Sequence, residues 1–260
     1  MKYMVLVKIG CCGFARSRAR YYNEFKVVEL QNTFYDLPKR ELVEKLRSEA
    51  PSDFEFTVKA WQVITHPSSS PTWKKMRSKP GGNLENYGYL KPTDENIKAF
   101  ENILEIMYIL NSKIVVLQTP ASMPFNEESI VWVKKFFSEV KNISSREIIV
   151  GWEPRGRWAE ETDTLKDILA EHNVLHVTDL FKRTPLHNPE GIVYSRLHGI
   201  GHGEVNYRYK YNVEDFEKLY KILSDLRFDT AYIMFNNIYM YDDAKRFREF
   251  LREKSGFTVL

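Results

Sequence analysis

The sequence predicts a single-domain (βα)8 TIM barrel spanning residues 1–260, and three observations lead to this prediction. Eight short apolar segments alternate with segments of helical periodicity. Several apolar segments are nearly continuous runs of β-branched residues, as expected of parallel strands that are buried on both faces. The length also fits, because α/β barrels of about 250 residues commonly form one domain. An open, doubly wound sheet is the alternative for the same pattern.

The boundaries of each element follow from these runs. The predicted strands are Met4–Gly10, Val27–Gln31, Phe54–Lys59, Ile114–Gln118, Ile148–Glu153, Val174–Thr178, Ile192–Leu197 and Thr230–Phe235. The predicted helices are Ser17–Phe25, Pro38–Ala50, Thr93–Leu110, Glu127–Val140, Glu160–His172, Val213–Leu226 and Tyr241–Arg252. In the third of these helices, Ile97, Phe100, Leu104 and Met107 recur at helical spacing and form one apolar stripe.

The segment of residues 66–92 is a long connection rich in Ser, Pro and Gly, and it follows the third predicted strand. Loops of this length are uncommon unless they are functional or mobile. Two interpretations stay open at this point. The segment is either a lid over the C-terminal rim of the barrel or a disordered surface insertion.

Composition and charge limit the class of protein. The chain carries 38 Lys+Arg against 35 Asp+Glu, a net charge of +3, which is too small to favour a protein that only wraps DNA. The two cysteines, Cys11 and Cys12, are adjacent and cannot provide a disulfide framework, so we expect a reducing, cytoplasmic environment. The apolar N-terminal run is too short to cross a bilayer, and we expect no membrane partner.

Polar residues concentrate where the predicted strands end. In TIM barrels the active site is built there, from the C-terminal ends of the strands and the loops that follow. We therefore expect these residues to converge on one cavity. They are Glu29, Gln31, Asn32, Lys59, Trp61, His66, Gln118, Glu153, Arg155, Asp179, Arg196, His198, Asn236 and Asn237.

The carboxylates Glu29 and Glu153 are candidate catalytic residues, because crowded carboxyl groups shift their pKa values toward neutrality and then suit acid–base chemistry. The alternative is a structural network of salt bridges to Lys59, Arg155 or Arg196.

Three further side chains carry two interpretations each. His198 is a candidate general base or metal ligand, or else a core histidine. Lys59 is a candidate Schiff-base amine or anion clamp, or else a plain ion-pair partner. Cys11 is a candidate nucleophile if its thiolate is stabilised, although a small buried thiol is the favoured interpretation.

A divalent metal ion is a hypothesis that depends on expected proximity alone, because no local motif such as H-E-x-x-H occurs. The candidate ligands are Glu29, His66, Glu153, Asp179 and His198.

The glycine-rich segment of residues 199–203 follows the seventh predicted strand, where many barrels bind phosphate through backbone N–H groups. With Arg155 and Arg196 expected nearby, an anionic substrate group becomes plausible. A simple flexible turn is the alternative.

Six motifs in order resemble the DUF72 family (YecE-like proteins), a group of uncharacterised barrel proteins, over essentially the whole chain. The matching segments are V-E-L-Q-N-T-F-Y from Val28, F-T-V-K-A from Phe56 with I-T-H from Ile64, L-Q-T-P from Leu117, E-P-R with Trp158, Y-S-R-L-H-G from Tyr194 and F-N-N from Phe235. The resemblance implies a TIM barrel with no settled activity. Its characteristic polar positions correspond to Glu29, Asn32, Lys59, His66, Gln118, Glu153, Arg155, Arg196, His198 and Asn236. The segments 10–14 and 238–241 depart from the family pattern.

The leading functional hypothesis is a hydrolase that acts on a small phosphate-bearing or otherwise anionic substrate, a nucleic-acid phosphodiester being one candidate. Catalysis is assigned to Glu29, Glu153 and His198, and substrate binding to Asn32, Lys59, His66, Gln118, Arg155, Arg196, Asn236 and Asn237. One alternative is a non-catalytic module that binds nucleic acid or a metabolite with the same basic cavity, the basic segment of residues 74–77 and exposed aromatic side chains. Another is a sugar isomerase or glycosidase that uses two carboxylates.

Overall fold

A computed structural model describes residues 5–260, in which nine strands form one sheet. The strands are β1 Val5–Cys12, β2 Val27–Leu30, β3 Glu55–Lys59, β4 Ile114–Gln118, β5 Ile149–Glu153, β6 Leu175–Thr178, β7 Ile192–Leu197, β8 Thr230–Phe235 and β9 Phe257–Val259. Their order is β2-β3-β4-β5-β6-β7-β8-β1-β9, and β1 also pairs with β2. The first eight strands therefore close into a parallel barrel, which confirms the predicted fold class.

Helices alternate with the strands. They are α1 Arg18–Glu24, α2 Asn32–Tyr35, α3 Arg40–Glu49, α4 Gln62–Thr65, α5 Asp94–Leu110, α6 Glu127–Ile143, α7 Arg157–Glu160, α8 Thr162–His172, α9 Val213–Asp225 and α10 Met240–Arg252. All seven predicted helices are present within a few residues of their expected ends. The three helices that were not predicted, α2, α4 and α7, have four residues each and follow directly after strands.

The predicted strands differ from the observed ones mainly at their ends. The bounds of β4, β7 and β8 are as predicted. The predicted first strand begins at Met4, which lies outside the described residues, and β1 extends to Cys12. The short strand β9 was not predicted. It pairs with β1 from Val5↔Phe257 to Val7↔Val259.

Helix α5 illustrates how the sequence determines an element. The Thr93 hydroxyl accepts a hydrogen bond from the Asn96 backbone N–H, and this N-cap begins the helix. Asn111 adopts the left-handed conformation (φ 53°) and ends it. Between the caps, Phe100, Leu104 and Met107 are buried, as the apolar stripe predicts, whereas Ile97 is only half-buried.

The chain divides into two compact units. The first contains residues 1–29, 51–55 and 175–260, and its described part includes β1, β6, β7, β8 and β9. The second contains residues 30–50 and 56–174, with β3, β4 and β5 and the helices α3, α5, α6 and α8. In the second unit, β4 and β5 pair in parallel from Ile114↔Ile149 to Gln118↔Glu153. The prediction of one domain over residues 1–260 stays a prediction.

The long segment of residues 66–92 packs against its own unit and contains two 3₁₀ helices, Pro71–Lys75 and Leu84–Asn86. The indole N–H of buried Trp73 donates to the His66 carbonyl (3.1 Å). The Asn96 carboxamide donates to the carbonyl oxygens of Gly88 (3.2 Å) and Lys91 (3.0 Å). This packing contradicts the interpretation of a disordered insertion. The interpretation of a lid stays a prediction.

Across residues 5–260, we find no helix with the length and apolar character needed to cross a membrane.

Gly88 provides a test of this packing. Its φ is +86°, and a Cβ atom there would lie 2.6 Å from the backbone of His66 and Pro67. We expect Gly88→Ala to lower the free energy of unfolding by about 2–4 kcal/mol, because both the conformation and the space exclude a side chain. Urea denaturation measures the change. The matched control is Gly81→Ala, where no heavy atom lies within 4 Å of the added Cβ, and equal stability of the two variants would contradict the packing described.

Candidate functional site

Within the first unit, Glu29 and Arg196 form a fully buried ion pair. Arg196 Nε lies 3.1 Å from both carboxylate oxygens of Glu29, and Nη2 lies 3.0 Å from Oε1. The hydroxyl of Tyr194 donates to Glu29 Oε2 (2.9 Å). Neither Glu29 nor Arg196 exposes any side-chain surface. This arrangement matches the salt-bridge interpretation of Glu29, and the catalytic role of Glu29 stays a prediction.

The alternation of side chains along a strand explains this cluster. Tyr194, Arg196 and His198 are two residues apart, so they share one face of β7 and its extension. Cys12 is the last residue of β1, and its side chain lies beside the ion pair of Glu29 and Arg196. Burial, and next the charge of Glu29, raises the pKa of the Cys12 thiol well above its usual value.

The neighbouring Cys11 is also buried. Its backbone N–H donates to the hydroxyl of Tyr21 (2.8 Å), and burial raises the pKa of the Cys11 thiol to about 12. A thiol with this pKa carries almost no thiolate at neutral pH. The structure thus favours the interpretation of small buried cysteines over that of a nucleophile.

His198 lies directly after β7 and is held next to Asp179. The backbone N–H of His198 donates to Asp179 Oδ2 (3.0 Å), and Nδ1 of the ring lies 3.8 Å from the same oxygen. The ring also makes an edge contact with Tyr207. The sequence predicts Asp179 as a polar residue at a strand end and as a candidate metal ligand, and in the structure its carboxylate holds the backbone of His198. The signal for this role was its position directly after β6.

The glycine-rich segment of residues 199–203 contains three glycines with positive φ angles. The Gly199 N–H donates to the hydroxyl of Tyr211 (2.8 Å), so this group is already engaged within the protein. A Cβ atom at Gly199 would lie 2.1 Å from the carbonyl oxygen of Asn206, which explains why glycine is required there. Phosphate binding by the segment stays a prediction.

Asn236 and Asn237 follow β8. The carboxamide of buried Asn237 donates to Asp243 Oδ2 (2.7 Å) and to the carbonyl of Tyr209 (2.7 Å), and thereby joins two loops. Asn236 is half-buried, and its backbone N–H donates to the carbonyl of Leu197 (2.8 Å). The contacts of Asn237 give it a structural role. Substrate binding by the two asparagines stays a prediction.

Within the second unit, Lys59 occupies a nearly enclosed position at the end of β3. Its Nζ donates to Gln118 Oε1 (3.2 Å) and lies 3.9 Å from the centroid of the Phe34 ring. Only 8% of Lys59 is exposed. Thr33 fixes the backbone there, because its hydroxyl donates to the Lys59 carbonyl (2.6 Å). Asn32, the first residue of α2, comes directly before Thr33 in the chain and is exposed.

Glu153 and Arg155 form an ion pair at the end of β5. Arg155 Nη2 and Nε lie 2.9 Å and 3.2 Å from Glu153 Oε1. Glu153 is paired in register with Gln118 on β4, so the carboxylate and the carboxamide come from neighbouring strands. The structure therefore places Lys59, Gln118, Glu153 and Arg155 at the same ends of the adjacent strands β3, β4 and β5. Their convergence on one cavity stays a prediction.

His66 belongs to the same group of residues. Its Nδ1 lies 2.8 Å from the Thr65 hydroxyl, and its ring makes an edge contact with Phe34. Burial, together with the charges of Lys59 and Arg155, lowers the pKa of His66 to about 3. The imidazole is therefore neutral at physiological pH and is not a general acid there.

Among residues 5–260, no three His, Cys, Asp or Glu side chains are grouped so that they could hold a metal ion. The metal hypothesis drawn from the sequence has no support in the side-chain geometry.

The neutral state of His66 has a consequence for stability. Because the folded pKa is about 3 and the unfolded value is about 6.5, the unfolded chain binds more protons between these values. Stability should therefore fall as the pH drops below 6.5. We expect a loss of about 2 kcal/mol between pH 7 and pH 5 that is absent in His66→Gln, measured by urea denaturation.

The control for this experiment is His202→Gln, at an exposed position. An imidazole NMR signal of His66 that titrates between pH 8 and pH 5 would contradict the prediction.

Comparisons with known proteins agree with the geometry. The family model described as "Protein of unknown function DUF72" matches residues 13–258. A DUF72 family protein from Enterococcus faecalis V583 is 16% identical, with a TM-score of 0.72 over 96% of this chain and 99% of its own. A DUF72 family protein from Thermotoga maritima MSB8 is 21% identical, with a TM-score of 0.67 over 95% and 99%.

More distant structures share the barrel fold. Endonuclease IV from Thermus thermophilus is 12% identical, with a TM-score of 0.54 over 96% of this chain and 100% of its own. No curated protein matches the sequence. Since the family model covers nearly the whole chain and the motifs lie at the strand ends where the structure places the polar residues, the chain belongs to the DUF72 family.

Proposed function

We propose that the protein is a hydrolase of phosphate-bearing or otherwise anionic substrates, and that Lys59, Gln118, Glu153 and Arg155 form its substrate-binding group. The observation that carries this proposal is the position of two cationic side chains, Lys59 and Arg155, at the C-terminal ends of β3 and β5, the two strands that flank β4. In TIM barrels, chemistry occurs at this end of the strands. A nearly enclosed ammonium interacts with an anion more strongly than an exposed one, because water screens it less.

The electrostatic environment of His66 supports the same proposal. The positive charges of Lys59 and Arg155 help to lower the pKa of His66, which means that the potential at its ring is positive. A region of positive potential attracts an anionic group. The planar guanidinium of Arg155 suits the bidentate recognition of phosphate or carboxylate oxygens.

Glu153 is the proposed acid–base residue. Arg155 contacts one of its carboxylate oxygens, Oε1, and fixes the orientation of the group. A carboxylate held in this way next to a bound anion accepts a proton from a water molecule, whose oxygen forms a bond to phosphorus. The P–O bond to the alcohol breaks, and the alkoxide leaves with the proton that Glu153 took up. The Gln118 carboxamide donates to the carbonyl of Thr119 (3.0 Å), and its second N–H would orient the anion. The roles predicted for Glu29, Arg196 and His198 remain separate predictions.

Two variants test the binding and catalytic steps. We expect Lys59→Met to weaken the binding of inorganic phosphate by about 10- to 100-fold, because a charge-assisted hydrogen bond is lost.

We expect Glu153→Gln to lower kcat for bis(p-nitrophenyl) phosphate or p-nitrophenyl phosphate by about 100-fold or more, with KM little changed. Calorimetry and a chromogenic assay provide the two measurements.

The matched control is Lys98→Met, which removes an exposed lysine of α5 that pairs with Glu101. The proposal fails if Lys59→Met binds phosphate as the wild type does. The catalytic part fails if Glu153→Gln retains its kcat.

A second candidate, a nucleic-acid-binding function, is favoured by the exposed basic side chains of the long segment. Lys74, Lys75, Arg77 and Lys79 are exposed within six residues. The backbone N–H of Arg77 is fixed by Asp36 Oδ1 (2.8 Å), so the basic strip is held in place. Cations in such a strip can bind successive phosphates of one strand. Endonuclease IV, one of the structures with the same fold, is a nuclease by name. A shared fold alone does not indicate a shared activity.

The salt dependence of binding tests this candidate. We expect Lys74→Met combined with Lys79→Met to reduce the slope of log K against log[salt] by about 1–2 for a single-stranded oligonucleotide. The control pair is Lys98→Met with Lys135→Met, two exposed lysines on α5 and α6. An identical slope in both double variants would exclude the strip as a nucleic-acid-binding surface.

A further inference from the structure

The short helix α2 carries two buried side chains that none of the site assignments uses. It consists of four residues, Asn32–Tyr35, and follows directly after β2. Thr33 is 1% exposed and Phe34 is 4% exposed. Both residues belong to the second unit, as do Lys59 and the other residues of the proposed substrate-binding group. The contacts of Thr33 and Phe34 indicate what this turn does for the site.

These two consecutive residues hold Lys59 at both of its ends. The Thr33 hydroxyl donates to the backbone carbonyl of Lys59 (2.6 Å). At the other end of the same residue, Nζ of Lys59 lies over the face of the Phe34 ring, 3.9 Å from its centroid. One helical turn therefore fixes the backbone of Lys59 and the place of its ammonium group.

The contact between Lys59 and Phe34 is a close cation–π interaction. Such contacts stabilise a cation when it lies within about 6 Å of the ring centroid, and they are strongest where water is excluded. For comparison, Nζ of Lys254 lies 4.5 Å from the centroid of Phe250. Lys254 is the more exposed of the two lysines, since 27% of its side chain is accessible, whereas only 8% of Lys59 is exposed. Distance and burial together favour a strong interaction at Phe34.

The type of partner matters for a site that binds anions. An ammonium group that loses its water needs other groups to stabilise its charge. A carboxylate would do so, but it would also compete with an anionic substrate. The face of an aromatic ring stabilises the cation through its quadrupole and carries no net charge. Gln118 Oε1, which accepts from Nζ (3.2 Å), is a neutral partner of the same kind.

We propose that Phe34 is a positioning residue of the anion site, an inference that rests on the proposed function. Its ring holds the ammonium of Lys59 charged and in place at the end of β3, so that the substrate anion meets a fixed cation. Phe34 acts through Lys59 and not on the reacting atoms. The electrostatic character of the ring, and not only its volume, therefore determines how strongly Lys59 attracts an anion.

The test replaces Phe34 in the full chain by phenylalanine analogues with one, two or three ring fluorine atoms. Fluorine changes the size of the ring little but weakens the negative potential of its face stepwise. We expect the affinity for inorganic phosphate, measured by calorimetry, to fall with each fluorine and to be lowered by about 3- to 10-fold in the trifluoro analogue. A side chain that only fills space would leave the affinity unchanged.

A second measurement on the same proteins does not depend on phosphate. Acetic anhydride acetylates only the neutral form of an amine, so the rate of acetylation at Lys59 reports how firmly its charge is held. We expect this rate, measured by mass spectrometry relative to that of exposed Lys98, to rise with each fluorine. Because the analogues are nearly equal in size, a change in access to Lys59 does not produce such a trend.

The matched control is the same set of analogues at Phe100, a buried residue of the second unit whose ring makes an edge contact with Phe136. There we expect neither measurement to change. If the wild type does not bind phosphate, the proposed function fails, and the acetylation series alone decides on Phe34. The inference is overturned if the acetylation rate at Lys59 is constant across the series, or if a phosphate affinity found in the wild type is constant across it.

Discussion

The buried ion pair of Glu29 and Arg196 is the interaction that constrains the interior of the first unit. Removing both charges from water costs several kcal/mol for each ion, and only close, well-aligned contacts repay this cost. Arg196 Nε supplies two such hydrogen bonds, one to each carboxylate oxygen, and the Tyr194 hydroxyl supplies a third. Loss of one partner would leave the other charge buried and unpaired, at a cost of about 3–5 kcal/mol. The ion pair consequently links a side chain of β2 to a side chain of β7, two strands that do not pair with each other.

The polar character of this interior continues along the strands. Tyr194 stacks on Tyr232, with ring centroids 5.5 Å apart. The Tyr232 hydroxyl donates to Glu55 Oε2 (2.8 Å), and Lys8 binds the other oxygen of the same carboxylate (2.5 Å). Barrel interiors are usually filled by branched apolar side chains. Here paired polar groups extend along the strands of the first unit, from the fully buried ion pair to Glu55, whose side chain is partly exposed.

The loops of the two units are fixed by a different means. Asn237 joins the loop after β8 to Tyr209 and Asp243, and Asn96 joins the segment of residues 66–92 to α5. Side-chain amides suit this purpose, because each offers two donors to carbonyl or carboxylate oxygens. A residue predicted from the sequence as a substrate ligand, Asn237, thus has a structural task. An asparagine near a strand end looks the same in the sequence whether it binds a substrate or joins two loops. Sequence alone therefore does not distinguish these two roles.

The sequence predicts the strands of this fold better than its short elements. The bounds of β4, β7 and β8 follow from continuous apolar runs, since a strand that is buried on both faces needs them. The strand β9 has three residues, none of them buried, and its pairing with β1 carries no local signal. The helices α2, α4 and α7 are single helical turns that follow strands, and four residues are too few to show a hydrophobic periodicity.

The candidate site is likewise only partly predictable from the sequence. Residue types at the strand ends identify Lys59, Glu153 and Arg155, but not their partners. Glu29 could have paired with any of three predicted cations, and the structure selects Arg196, which is 167 residues away in the chain. Such pairs depend on the tertiary fold, which brings side chains of strands that are distant in the chain into contact. The predicted group of residues is therefore more secure than any role assigned within it.

The electrostatics of the second unit connect the proposed function with His66. The charges of Lys59 and Arg155 disfavour a proton on this imidazole. An anion bound to the same two cations would offset their field and raise the pKa of His66. By linkage, protonation of His66 would then strengthen anion binding by the same factor. A buried neutral histidine beside two cations is thus coupled to the charge of the ligand, even if it never contacts the reacting atoms.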